Sequence, residues 1–403
     1  LDQPDIETSD PEVLSSIQAS ANWALGKELF AIENLDLRLD DTKIEGGLEI
    51  NYLDQSGLNF DFVADQLAID RYLAPEQESA SQATTSGKSD KPPGPTEVPV
   101  ETLQGLDFSG HVRLGRLTMD PLLLENLHAE INASGGRVRL DPMTADLYGG
   151  RYNGAVTIDT AGKTPTVNFK QSVSNVQAAG LLTALADTSN IEGLLNASFT
   201  GKGVGRTDAE IIKTLAGDIS FNLVDGVYKE VDVWYEIRRA RALLKGQPGP
   251  KKSADPETPI EALTITGRID DGVFRSKTMV VQIPFLRLNG NGLLNTVEEN
   301  MNFRFQASVH EKPVFPDGED LAGLQGLMIP LTVTGAVASP SVGVDLGELV
   351  KSEAVKKATK KAENLLLDKL GLTEPEEEDG TDKSKKEDAR DLVKKGLRDL
   401  FGR

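Results

Sequence analysis

Cysteine is absent from the 403-residue chain, which removes disulfides, thiolate metal sites and cysteine nucleophiles in one step. No run of about 18 apolar residues occurs, so nothing reads as a membrane-spanning helix. Basic excess is missing as well: the net charge is −20, the wrong sign for a protein that must displace counterions from a nucleic-acid backbone. Residues 347–403 hold fourteen basic and fourteen acidic side chains, so residues 1–346 carry the whole of that charge. The chain opens at Leu1 without a charged, apolar, small-residue leader, and a fragment or mature piece lacking its targeting and anchoring segments is expected.

Sites of chemistry are equally scarce. His111, His128 and His310 stand far apart, and none has a second histidine at metal-ligand spacing. Gly201-Lys202-Gly203-Val204-Gly205 fails as a dinucleotide fingerprint, because the third required glycine falls at Arg206. Gly87-Lys88-Ser89 fails as a phosphate loop, its leading position being Gln82. Asp40-Asp41 and Asp270-Asp271 read as turn residues. No catalytic residue, metal or cofactor is expected, and the chain does not read as an enzyme.

What is present is repetition. An apolar residue followed by Asn-Phe occurs at Leu58-Asn59-Phe60, Val167-Asn168-Phe169 and Met301-Asn302-Phe303. Each follows a Gly-led alternating segment, beginning at Gly47, Gly154 and Gly292, so each copy reads as strand, turn, strand. A shorter echo of hydroxyl, apolar, Thr, Gly recurs at Ser198–Gly201, Thr264–Gly267 and Thr332–Gly335. Period-two alternation with one apolar face predicts a mainly β protein, an extended stack of repeated strand units in which each continues the sheet of its neighbour.

Along the chain, residues 1–74 read as a first unit and 101–190 as a second, with Glu33-Asn34-Leu35 echoed by Glu125-Asn126-Leu127. Asp10-Pro11-Glu12 with Leu14, Ile17, Ala21 and Leu25 predicts an opening helix. Residues 75–100, rich in Pro, Ser, Thr, Gln and Lys, predict a disordered linker. The second unit ends in a predicted short helix, Val176 to Ala186, where the first has Gln66 to Ala74. A third region, 191–346, holds predicted helical inserts at Asp208 to Leu215 and Lys229 to Lys245, and Pro284 predicts a bulge or an edge. Residues 347–403 predict amphipathic helices, Leu346 to Leu372 and Asp388 to Phe401, around an acidic run. A cap over the last strand and a membrane-surface contact are both open to them.

Several segments together resemble the AsmA family of bacterial envelope proteins. They are Ile69-Asp70-Arg71-Tyr72-Leu73, Leu147-Tyr148-Gly149-Gly150-Arg151-Tyr152-Asn153-Gly154, Gly217-Asp218-Ile219-Ser220-Phe221 with Asp225-Gly226-Val227, and Ile329-Pro330-Leu331-Thr332-Val333-Thr334-Gly335. The resemblance implies the periplasmic, carboxy-terminal part of a Gram-negative protein anchored in the inner membrane by a segment absent from this chain. It implies a long, curved antiparallel sheet of repeated strand units with short capping helices, forming an open β-groove that moves phospholipids toward the outer membrane and supports outer-membrane integrity, with outer-membrane or envelope proteins as further partners. A non-enzymatic scaffold for outer-membrane protein or envelope assembly is the alternative. On the conduit reading, the lipid-binding face is Leu48, Ile50, Phe60, Phe62, Val156, Ile158, Phe169, Ile219, Phe221, Leu223, Leu263, Ile265, Phe303, Phe305, Leu331 and Val333. Packing of the same residues against helices or a second sheet is the plain alternative.

Overall fold

The computed structural model describes residues 8–51, 57–72, 96–310, 324, 327–337 and 339–351. Among these residues, seventeen strands form one sheet. They are β1 (Ile17–Leu25), β2 (Leu29–Leu39), β3 (Thr42–Asn51), β4 (Leu58–Ala68), β5 (Phe108–Met119), β6 (Leu122–Ser134), β7 (Arg137–Leu147), β8 (Gly150–Asp159) and β9 (Thr166–Gln177). Then come β10 (Ile191–Val204), β11 (Ala216–Lys229), β12 (Glu257–Asp270), β13 (Val273–Ile283), β14 (Leu286–Asn295), β15 (Asn300–Val309), β16 (Met328–Ala336) and β17 (Ser339–Val344). Among the described residues, four α-helices interrupt them: α1 (Val100–Gln104), α2 (Ala178–Ala186), α3 (Asp208–Lys213) and α4 (Val233–Leu244).

Each strand is hydrogen-bonded to the next in sequence, and every pairing is antiparallel except β4–β5. At about 4.8 Å per strand, seventeen strands make a surface on the order of 75 Å long, and the sheet does not close into a barrel. The parallel junction needs the chain to return from one end of the strands to the other before β5 begins. Its last part is pinned along the strand ends. Thr96 and Val98 bond Asp208 and Arg206, Gln104 Nε2 donates to the Thr160 carbonyl at 2.8 Å, and Leu58 N–H donates to the Asp107 carbonyl.

The repeat is real at the level of strands, since each Asn-Phe copy sits on the second strand of a hairpin, β3–β4, β8–β9 and β14–β15. Asn59, Asn168 and Asn302 are exposed. The Glu-Asn-Leu echo also has a physical content. Asn34 and Asn126 both adopt φ of 51° at bulges in β2 and β6, a left-handed conformation that Asn tolerates better than most residues. Such bulges bend a strand and add twist, which is what a curved sheet requires.

Four expectations need correction. The opening helix is a turn followed by β1. Asp10 does cap that turn, accepting Glu12 N–H at 2.9 Å, but Leu14 turns left-handed at φ 58° and residues 17–25 pair with β2. The stripe Ile17, Ala21, Leu25 misleads because a spacing of four satisfies the period of a strand as well as that of a helix. Helix α4 begins at Val233, not Lys229, which closes β11; Asp232 caps it by accepting Tyr235 N–H at 2.8 Å. Pro284 marks neither a bulge nor an edge: with Phe285, at φ 66°, it makes the β13–β14 turn. The end of the first unit is strand to Ala68 and then a 3₁₀ turn, Ile69–Tyr72. Of the expected linker, Thr96–Val100 are placed as described, and residues 75–95 lie outside the described residues. So do the terminal helices, apart from a helical turn over 346–351 capped by Asp345, which accepts Glu348 N–H at 3.0 Å.

Candidate functional site

The registers carry one apolar face across the sheet, because directly paired residues point to the same side. Ile32 opposes Leu48, which opposes Phe60, and Gly110, Ile131, Leu140, Val156, Phe169 and Gly201 follow in turn. Val173, Ala197 and Phe221 continue the same side into Ile265, Met279, Gly290, Phe305, Leu331 and Val344. All sixteen residues expected on the apolar face lie on this side. The opposite side is charged and wet, with cross-strand pairs such as Arg113–Asp61 at 2.5 Å, Arg116–Glu125 at 3.6 Å and Lys277–Asp218 at 3.5 Å.

Cover divides the sixteen. Leu223, Phe303, Phe305 and Leu331 are buried in a hydrophobic cluster with Val233, Trp234, Ile237 and Ala240 of α4 and with Leu349. Ile219, Phe221, Leu263, Ile265 and Val333 pack against it while half-buried. Helix α4 lies across one rim of this part. Trp234 Nε1–H donates to the Pro284 carbonyl at 3.1 Å, and the helix touches both β12 and β17. Leu223, Leu286, Ala307 and Ile329 are 0 % exposed, covered by side chains off the strands: those of α4 together with Ala178 of α2, Leu324, Leu327 and Leu349.

The remaining seven keep open faces. Leu48, Ile50, Phe60, Phe62, Val156, Ile158 and Phe169 are half-buried, and among the described residues the cluster includes none of β1–β8. Phe60 stacks on Phe62 with centroids 4.9 Å apart and tilts against Phe108 at 5.8 Å, while Phe169 meets Phe199 at 6.2 Å. At the edge, β1 presents Trp23 at 71 % exposure beside Ile17 and Leu25 on the same side. One polar pair interrupts the face: the Tyr152 hydroxyl donates to Gln171 Oε1, and Gln171 Nε2 donates to the Ala155 carbonyl at 3.1 Å. Burial pushes the Tyr152 phenol pKa up, so the pair is a neutral one.

Aromatic rings on this face lie over glycines of neighbouring strands. All three phenylalanines of the Asn-Phe repeat oppose a glycine: Phe60 opposes Gly110, Phe169 opposes Gly201 and Phe303 opposes Gly292. A Cβ added at Gly110 would meet the Phe60 ring at 2.5 Å, at Gly292 the Phe303 ring at 2.4 Å and at Gly290 the Phe305 ring at 2.3 Å. A ring laid on bare backbone covers peptide groups and projects little, so the face stays apolar and smooth.

The segments that carry the family resemblance hold turns and bulges. Tyr148-Gly149, at φ 42° and 78°, forms the two-residue β7–β8 turn, whose geometry demands two positive φ values. Asp225, at φ 50°, breaks the register of β11. Arg71 bonds Asp10 at 2.7 Å and Asp41 at 3.2 Å, the Tyr72 hydroxyl donates to Asp40, and Asp70 accepts Asp120 N–H at 2.6 Å. That short segment therefore fastens the entry to β1 on one side and the β5–β6 turn on the other.

The opposed glycines, together with Ile32, Ile131, Leu140 and Met279, were not in the sequence-based set. Alternation signals Ile131 and Leu140 in His128–Ala133 and Arg137–Leu140. The glycines send no hydrophobic signal and become part of the face only through register.

An open, single-layer β-sheet with a one-sided apolar face, covered over one stretch and open over another, defines the class: a β-groove protein. A profile of the AsmA family matches residues 6–279, and the chain belongs to that family. Membership points to a function in the bacterial envelope. The chain is 20 % identical over 302 residues to "Protein AsmA" of Escherichia coli (strain K12), covering 72 % of this chain and 48 % of that protein. It thus spans about half the length of the curated relative it matches. No solved structure gives a significant match. Among the described residues, no helix is long and apolar enough to cross a membrane.

Proposed function

We propose that this chain is the periplasmic part of an inner-membrane-anchored lipid-transfer protein. It carries phospholipids along its apolar face toward the outer membrane, without turnover, and so supports outer-membrane integrity. The observation that carries the reading is the half-exposed apolar face of β1–β9, continuous through its registers with the covered stretch beyond. Moving roughly 30 methylenes of a diacyl lipid into water costs on the order of 20 kcal/mol, at about 0.8 kcal/mol each. A trough that shields acyl chains and leaves headgroups wet removes most of that cost and needs no base, nucleophile or metal. The covered face of β11–β17 supports a second reading, an assembly scaffold whose working surface is the outer, charged side.

Native mass spectrometry with lipid extraction, combined with photoreactive residues at Phe60 and Phe303, separates the two. The conduit predicts co-purified phospholipid and crosslinks to it from position 60, with few from the buried position 303. A lipid-free protein with no crosslinks from position 60 leaves the scaffold.

A further inference from the structure

The chain carries a net −20, yet between Glu236 and Asp255 it has Arg238, Arg239, Arg241, Lys245, Lys251 and Lys252 and no acidic residue. These positions occupy the C-terminal part of α4 and the loop behind it. The helix turns Val233, Trp234, Ile237 and Ala240 into the core, while Leu243 stays 66 % exposed and Leu244 36 %. Arg239, Lys245, Lys251 and Lys252 are exposed around those leucines, and Glu236, the carboxylate nearest in sequence, pairs with Arg239 at 3.2 Å. A cleft of about 280 Å³ lies between the helix end and the loop, lined by Arg238, Arg241, Lys245 and residues 247–250. Exposed leucines ringed by cations, in a chain otherwise strongly anionic, are complementary to one kind of surface: a phosphate layer with hydrocarbon beneath it.

We propose that the C-terminal end of α4, with the loop through Lys252, seats the protein on an anionic phospholipid membrane. Leu243 and Leu244 enter the boundary between headgroups and acyl chains, and Arg239, Lys245, Lys251 and Lys252 meet the phosphates. The negative charge elsewhere is repelled by the same surface, which fixes the orientation. Because α4 touches both β12 and β17, the membrane lies beside the covered stretch of the apolar face. The inference adds a membrane partner to the lipid-transfer reading, but seating does not require cargo.

The test is sedimentation of the full chain with vesicles of phosphatidylcholine alone or with about one-third phosphatidylglycerol. The expected result is binding to the anionic vesicles at least about tenfold tighter than to the neutral ones, weakening as salt rises. The variant R239E/K245E/K251E/K252E loses that advantage, and L243S/L244S loses binding at all salt concentrations. Equal binding to both vesicles, no binding, or unchanged binding by the charge variant overturns the proposal. Co-purified lipid, measured in the same charge variant, stays at the wild-type level. Vesicle binding without any co-purified lipid in the wild type would support seating while sinking the conduit.

Discussion

Across the parallel β4–β5 junction the Phe60 ring lies on Gly110, so closely that an added Cβ would sit 2.5 Å from both the ring and the Phe60 carbonyl oxygen. Gly115 is as tightly held against the same strand, since its added Cβ would meet the Asp65 carbonyl oxygen at 2.6 Å, but it is the Phe60–Gly110 contact that sets the floor of the open apolar face. Gly110→Ala is expected to cost about 1–3 kcal/mol, since backbone as well as ring must move. Gly162→Ala, with nothing nearer than 3.8 Å, should be close to neutral. Urea unfolding of the two variants checks this, and equal midpoints would show that the contact is not tight.

The two ends of the apolar face should respond differently to the same change. Phe303→Ala removes a buried ring from the α4 cluster and is expected to destabilise by about 3–5 kcal/mol. Phe60→Ala, at a half-exposed position, should cost clearly less stability but lower the amount of co-purified phospholipid. Denaturant midpoints and lipid extraction read the two effects separately. Retained lipid in Phe60→Ala would place the cargo elsewhere.

Acid should loosen the entry to β1 first. Asp40 accepts the N–H groups of Leu14, Ser15 and Ser16 and the Tyr72 hydroxyl. Partial desolvation, the largest single influence, works to raise its pKa, but those hydrogen bonds outweigh it and hold the carboxyl below its usual 3.8. Asp10 is held low in the same direction, chiefly by the Glu12 N–H and then by Arg71. A carboxyl whose pKa is depressed on folding stabilises fully above its unfolded pKa and loses that contribution as pH falls through the folded value. Hydrogen-exchange protection of Leu14–Ser16, corrected for intrinsic rates, should therefore hold above about pH 5 and fall below pH 4. Asp40→Asn, whose amide oxygen still accepts but does not titrate, should show protection that stays constant over this range; an acid-dependent loss in that variant would refute the assignment.

The paired asparagines make a backbone prediction. Asn34 and Asn126 both sit at φ 51°, so Asn34→Val and Asn126→Val should each cost about 1–2 kcal/mol. Glycine at either position should be tolerated. Unfolding midpoints that do not distinguish valine from glycine would mean the bulges are not fixed by these residues.

Much of the fold was legible in the chain because a strand with one wet side writes its geometry as alternation. The Asn-Phe repeat, the Gly-led strands before it and all sixteen apolar positions fell on the expected side. Where the reading failed, local pattern was degenerate. Ile17, Ala21 and Leu25 fit two periods, and only pairing with β2 chooses the strand. Pro284 lacks an N–H, which fits a turn as well as a bulge, and the left-handed Phe285 beside it decides for the turn.

By itself, then, the sequence determined which residues share a face, since that depends only on the side-chain period of two and on the residues that tolerate left-handed bulges. Tertiary structure decided which part of the face is open. Phe60 and Phe303 sit in copies of one motif, each opposite a glycine, yet one ring is half-exposed and the other buried. The difference comes from cover: Phe303 is buried by side chains that α4, Leu324, Leu327 and Leu349 bring to the cluster across space, and no local pattern encodes their distance.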